Sequence, residues 1–259
     1  MERPQNPRQI RLSFGGSLTP VVRALLWING LVYLFLLIAK GHQISNLVSA
    51  PMDTQALLIQ LLGLVPKSVT HDWALWQPVT YMFVHQAFWH LLLNMLGLWW
   101  FGADVERYMG GRSFLRYYLL CGIGGALAAI VIGPDSGMVT IGASGAVFGL
   151  LVAYGFLFPN RVIYLYFLIP IRAIWCVAIF CAITLYALWT GGGGGVSHIA
   201  HLGGMVVGVI WSLLTRYGVG LRSLMRGMRK RRLRRRFRLI RRDGDEQDPS
   251  DGYTNRTIH

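Results

Sequence analysis

This chain is poor in charge, and poorest in acids. Charged residues make up 14% of its 259 positions, where a soluble domain carries about 25%. Eleven Asp and Glu stand against 25 Lys and Arg, for a formal net charge of +14. Acids are almost missing from the apolar runs: Asp104 and Glu106 close one of them at its inner end, and no other run carries an Asp or Glu. That excludes an aspartyl site inside a membrane, and the glutamate of an HExxH zinc site is missing as well. Cysteine is scarce too. Cys121, Cys176 and Cys181 all sit in apolar runs without a CxxC pair, so neither a zinc ribbon nor a disulfide framework is indicated, and they read as small core residues. A cleavable leader is also not indicated. The chain is mostly polar to Ser17, and the first apolar run continues to about Ile38 without a small-residue cleavage site, as a retained helix does.

Apolar side chains are abundant, at 54%. Six stretches are apolar enough to cross a membrane: Val22 to Ala39, Phe88 to Val105, Phe114 to Ile132, Ala143 to Phe158, Ala173 to Trp189 and His198 to Leu214. The expected class is therefore an all-α, polytopic membrane protein. It divides into an N-terminal segment (1–21), a six-helix membrane domain (22–217) and a basic juxtamembrane segment with a disordered tail (218–259). "RVIYLYFLIP", closed by Pro170, reads as an interfacial stretch leading into the fifth helix.

Orientation follows from Lys and Arg. With the N-terminus inside, the inner side holds Arg3, Arg8, Arg11, Arg107, Arg112, Arg116, Arg161, Arg172 and the arginine-rich stretch from Arg222 to Arg242, against Lys40 and Lys67 outside. Both termini are then cytoplasmic. The basic stretch fits a segment held near anionic lipid better than a nucleic-acid-binding tail. Two outer connections stand out. The first, about Lys40 to Ala87, is long and rich in Trp and Leu, as a functional or surface-lying loop would be. The other is the run of five glycines, Gly191 to Gly195, which reads either as a plain flexible link or as a moving cap. The fifth helix lacks GxxxG spacing, so with the glycine run it is expected to form a gate.

In this topology the second, fourth and sixth helices all start at the outer face, and their polar residues lie near those starts. These are His85, His90 and Asn94, then Ser144, then His198 and His201. His90 and Asn94 are four apart and share a helix face. Any one of them could be an interhelical hydrogen bond, but intramembrane ionisable residues in a cluster point to a functional site. "TIGASGAVFGL" can be a flexible lead into a helix, or it can place Ser144 as a nucleophile at a helix N-terminus. Without a carboxylate, the chemistry left open is a Ser–His dyad, with His201 as base and an oxyanion hole from the Ser144 N–H, His90 and Asn94. Gly203, Gly204 and Gly208 would let the sixth helix approach the fourth, which carries Gly142, Gly145 and Gly149.

Together "HQAFWHLLLN", "GADVERYMG", "GASG" and "AHLGGMVVG" resemble the rhomboid intramembrane serine proteases over about Trp76 to Trp211. The resemblance implies a six-helix bundle with a long first outer loop. It implies a serine endopeptidase without metal or cofactor, cleaving in or next to transmembrane segments of other membrane proteins near the outer face. Its home would be a bacterial inner or plasma membrane. By the same resemblance Ser144 is the nucleophile, His201 the base, and His90 and Asn94 the oxyanion donors. Phe148 packs on His201, Glu106 and Arg107 hold the inner hairpin, Trp76 anchors the first outer loop, and His85, Gly142, Gly204 and Gly208 support the site. Gln77 departs from the arginine some members carry. The alternative is a catalytically silent rhomboid-like protein that binds and escorts membrane helices.

Overall fold

The computed structural model describes residues 17–40, 43–44, 52–165, 169–191 and 198–215. The arginine-rich stretch, the polar tail, most of the N-terminal segment and four of the five glycines lie outside them. The chain divides into two units, Met1–Ser212 and Leu213–His259, and every element lies in the first except the last three residues of the final helix.

Most described residues are helical. Three helices are long and apolar enough to cross a membrane: α1 (Pro20–Ala39), α7 (Gly111–Ile132) and α10 (His198–Thr215). Two shorter apolar helices, α8 (Ser144–Leu157) and α9 (Ala173–Trp189), have 14 and 17 residues. The second apolar run folds as α5 (Phe88–Gly97) and α6 (Ala103–Met109), joined by a π-helical stretch at Leu98–Gly102. Glycine lets the backbone crowd its neighbours there: a Cβ on Gly97 would meet Val147, and one on Gly102 would meet Val22 and Phe114.

Helix α8 is apolar all round and has nine buried residues, from Gly145 to Gly155. A helix without a polar face belongs inside a bundle. Around it α7 contributes Phe114, Tyr117, Tyr118 and Cys121, all fully buried, while the opposite faces of α1, α7 and α9 expose large apolar side chains such as Leu34, Leu127 and Ile183.

The described residues are mostly helical, as expected, with two short ladders added. The stretch "RVIYLYFLIP" gains regular structure: β3 (Val162–Leu165) pairs antiparallel with β4 (Ile169–Arg172) ahead of α9. Its β-branched and aromatic residues favour a ladder, and Pro170 is tolerated at an edge. A second, two-residue ladder joins β1 (Gln43–Ile44) to β2 (Met52–Asp53). The first outer connection is itself structured, with α2 (Thr54–Leu62), α3 (Pro66–His71), α4 (Gln77–Thr80) and a 3₁₀ turn at Tyr81–Phe83.

A single carboxylate starts the first long helix. Thr19, the N-cap of α1, does not cap it with its own side chain, and Pro20 brings no N–H. Glu106 of α6 instead accepts from Val22 N–H at 2.9 Å, Val21 N–H at 3.1 Å and the Thr19 hydroxyl. Glu106 is 4% exposed, so its loss would leave buried donors unpaired. Glu106→Gln replaces one accepting oxygen by an NH₂ that faces donors, and should cost about 1–3 kcal/mol. A lowered unfolding midpoint in detergent would register it; an unchanged midpoint would refute the capping role.

Candidate active site

The geometry starts from a turn. Gly142 has φ +107°, a left-handed value suited to glycine, and its N–H donates to the Tyr81 carbonyl at 2.9 Å. Next, the Ala143 N–H donates to His85 Nε2 at 3.4 Å, and α8 begins at Ser144. The same segment is fixed further back. Leu64 and Thr140 exchange backbone hydrogen bonds of 2.8 Å, the Lys67 N–H donates to Ser136 O, and His71 Nε2 lies 2.8 Å from Asp135 Oδ1. The structured first loop therefore holds the approach to the serine.

From α10, His201 Nε2 comes within 2.7 Å of Ser144 Oγ. That is inside the ~2.6–3.2 Å a general base needs. The imidazole lies flat on the Phe148 ring, with centroids 4.3 Å apart and planes 5° from parallel. His198 meets His201 edge-on at 6.0 Å.

His90 and Asn94, both on α5, flank Gly142. A Cβ on Gly142 would stand 2.6 Å from His90 Cε1 and Nε2 and 3.7 Å from Asn94 Nδ2. Asn94 Nδ2 donates to the His90 carbonyl at 2.8 Å, using one of the two amide hydrogens. His85 is fully buried with its ring 5.0 Å from that of His90. The imidazoles of His85 and His90 and the amide of Asn94 thus gather around the Gly142–Ala143 turn that leads into Ser144.

Glycines set the distance. A Cβ on Gly204 would run into the Gly145 carbonyl, and one on Gly208 would meet the Gly149 carbonyl oxygen at 3.2 Å. The sequence expectation needs two adjustments here. Gly203 faces α7, meeting Gly124 O and Ala128, and Gly142 lies against His90, so neither lines the α8–α10 seam. Glu106 and Arg107 likewise reach beyond the inner hairpin. Glu106 caps α1, and Arg107 binds Asp104 and the Ser17 carbonyl, while the α6–α7 turn is closed by Gly110 at φ +80° with its N–H on Glu106 O.

Trp76 Nε1 donates to Leu61 O at 2.8 Å, tying α4 to α2. Two residues went unremarked or undervalued in the sequence. Gln77, 2% exposed, accepts from Val65 N–H at 2.9 Å and donates to Gln60 O. Tyr81 is buried with its hydroxyl on Gly122 O at 2.7 Å, close to both Gly125 and Gly145. A buried tyrosine among glycines of two helices carries no local sequence signal. Gln77 had one, as a polar residue beside Trp76 in an apolar context.

Comparison with known proteins converges on one family. A model described as the rhomboid domain matches residues 72–218. Rhomboid protein 1, mitochondrial, of Saccharomyces cerevisiae is 33% identical over 165 residues, covering 58% of this chain and 43% of that protein. Rhomboid-like protease 3 of Toxoplasma gondii is 26% identical over 183 residues, 71% of this chain and 68% of the relative. Rhomboid protease GlpG of Photorhabdus laumondii is 24% identical over 199 residues, 75% and 61% of the two chains. The chain spans less than half the length of the yeast relative.

Proposed function

This chain belongs to the rhomboid family, a multi-pass membrane family, and from that membership we propose that it is an intramembrane serine protease working through a Ser144–His201 dyad. One observation carries the reading: the 2.7 Å contact between His201 Nε2 and Ser144 Oγ. As Oγ attacks the carbonyl carbon of a peptide bond, Nε2 takes its proton. The oxyanion that forms is met by the Ser144 N–H and by His90 and Asn94. The imidazolium then protonates the leaving amine, and water, activated by the same imidazole, hydrolyses the acyl-enzyme. Substrates are transmembrane segments of other membrane proteins. In this reading six helical passes set both termini on the inner side, in the plasma or inner membrane of a bacterium, and the arginine-rich tail holds anionic lipid.

Fluorophosphonate labelling of the purified full-length chain tests it. Label should appear on Ser144 and vanish in Ser144→Ala. A wild-type chain that takes no label would favour the silent, helix-binding alternative. His90→Ala should lower kcat by roughly 10²–10³, the cost of one oxyanion donor, with label still on Ser144. Removing residues 222–259 should leave cleavage in detergent near wild type while weakening binding to anionic vesicles in a salt-dependent way. Equal binding before and after the deletion would remove the lipid role.

A further inference from the structure

The contacts that hold His201 continue one ring further, into α9. Phe148 lies flat on the imidazole, and the ring of Phe180 meets Phe148 edge-on, with centroids 5.8 Å apart and planes at 89°. Three rings from three helices thus form a chain ending on the base. Torsions that turn an aromatic or imidazole ring about its last single bond are broad and shallow. Neighbours, rather than intrinsic preference, therefore fix where these rings point.

Phe180 is well placed to be such a neighbour. It shares the inward stripe of α9 with Ala173, Cys176 and Thr184, which are buried. Near its start α9 is fastened: the Ala173 N–H donates to Arg161 O at 2.8 Å, and Val177 fills the space over Gly155 of α8. The lack of GxxxG in α9 therefore does not leave it loose, because the glycine is on its partner. Further along, Ile183, Leu185, Tyr186 and Trp189 are all exposed. Phe180 is the aromatic of α9 that reaches the site.

We propose that Phe180 is a positioning residue: through Phe148 it sets the orientation of the His201 imidazole, so that the placement of α9 governs how readily Ser144 is deprotonated. The proposal rests on the dyad reading of Ser144 and His201. Bonding consequences follow from geometry alone. With Phe180 absent, the edge of Phe148 is unsupported, the stacked imidazole can turn with it, and Nε2 spends less time in line with Oγ. Displacements of about 1 Å at a reacting group cost up to ~10² in rate.

Labelling by a small fluorophosphonate isolates this effect, because the probe reaches Ser144 without a transmembrane segment having to pass α9. In the purified full-length chain, Phe180→Ala should slow labelling roughly two- to tenfold, the fold-change matching the worth of one aromatic pair. Phe180→Tyr should restore the wild-type rate. Phe180→Leu, which keeps bulk without a ring edge and guards against a folding defect, should resemble Phe180→Ala. In a Phe148→Leu background, Phe180→Ala should slow labelling no further, since the link is already cut. Labelling of Phe180→Ala at the wild-type rate would overturn the proposal, as would full additivity with Phe148→Leu. Faster cleavage of a transmembrane substrate with unchanged labelling would show that Phe180 only obstructs entry. No labelling of the wild type would bring down the dyad reading, and this proposal with it.

Discussion

Ser144→Ala is expected to abolish cleavage of a transmembrane substrate, with kcat falling by ~10⁶, and His201→Ala is expected to match it. The two changes remove different partners of one proton transfer across the 2.7 Å contact, so their effects should not add. The double variant should be no slower than either single one. Both side chains lie at helix starts and are only partly buried, so the unfolding midpoint should stay close to wild type. Quantifying product from a purified substrate in detergent decides the matter. Residual activity within tenfold of wild type in Ser144→Ala would mean that another group attacks the peptide bond. Additive losses would mean that His201 works elsewhere than on Ser144.

Gly204→Val should be nearly as damaging, for a reason of space. A Cβ on Gly204 would overlap the Gly145 carbonyl oxygen and stand 2.7 Å from the carbonyl carbon. These are backbone atoms of α8, which cannot swing aside as a side chain does, so α10 must back away. His201 lies one turn earlier on α10, and Gly145 is next to Ser144. The retreat therefore opens the Oγ–Nε2 contact directly. Overpacking of this kind costs about 1–3 kcal/mol of stability, and the misplacement should remove most of kcat, by ~10² or more. Gly30→Ala is the matched control, since nothing lies within 4 Å of a Cβ there. Wild-type kcat in Gly204→Val, or an equal fall in both variants, would count against close approach of α8 and α10 as the cause.

Much of this arrangement was legible from the sequence because membrane burial writes plainly. Apolar runs mark helices, so Ala173 to Trp189 coincides with α9 and four other runs differ from their helices by a few residues at the ends, while the second run is divided between α5 and α6. Charge asymmetry leads to the expectation that three helices start on one side, with Ser144 and His201 at a common depth, and their 2.7 Å contact is the part that only the fold supplies. What stayed hidden depends on partners far away along the chain. Glu106 caps a helix that begins 86 positions earlier in the sequence, at Pro20, and a lone glutamate does not name its donors. Gly203 and Gly204 are neighbours in sequence yet face α7 and α8 respectively, because successive helical residues point about 100° apart. The hairpin of β3 and β4 is hard to see in sequence because its apolar content matches that of a helix lead-in, and only its β-branched and aromatic residues favour a ladder. The π-helical stretch at Leu98–Gly102 follows from crowding around glycines that only the folded neighbours reveal.

Helix α9 has 17 residues, about 25 Å of rise, against a hydrocarbon slab of ~30 Å. Its large apolar side chains are exposed along most of that length. A span this short is matched by a slab of lipid several ångströms thinner than the average. The thickness of the surrounding bilayer is therefore a variable to which the flank beside Phe180 is sensitive. Membranes of different thickness should therefore load α9 differently, a property set by helix length and not by any one side chain.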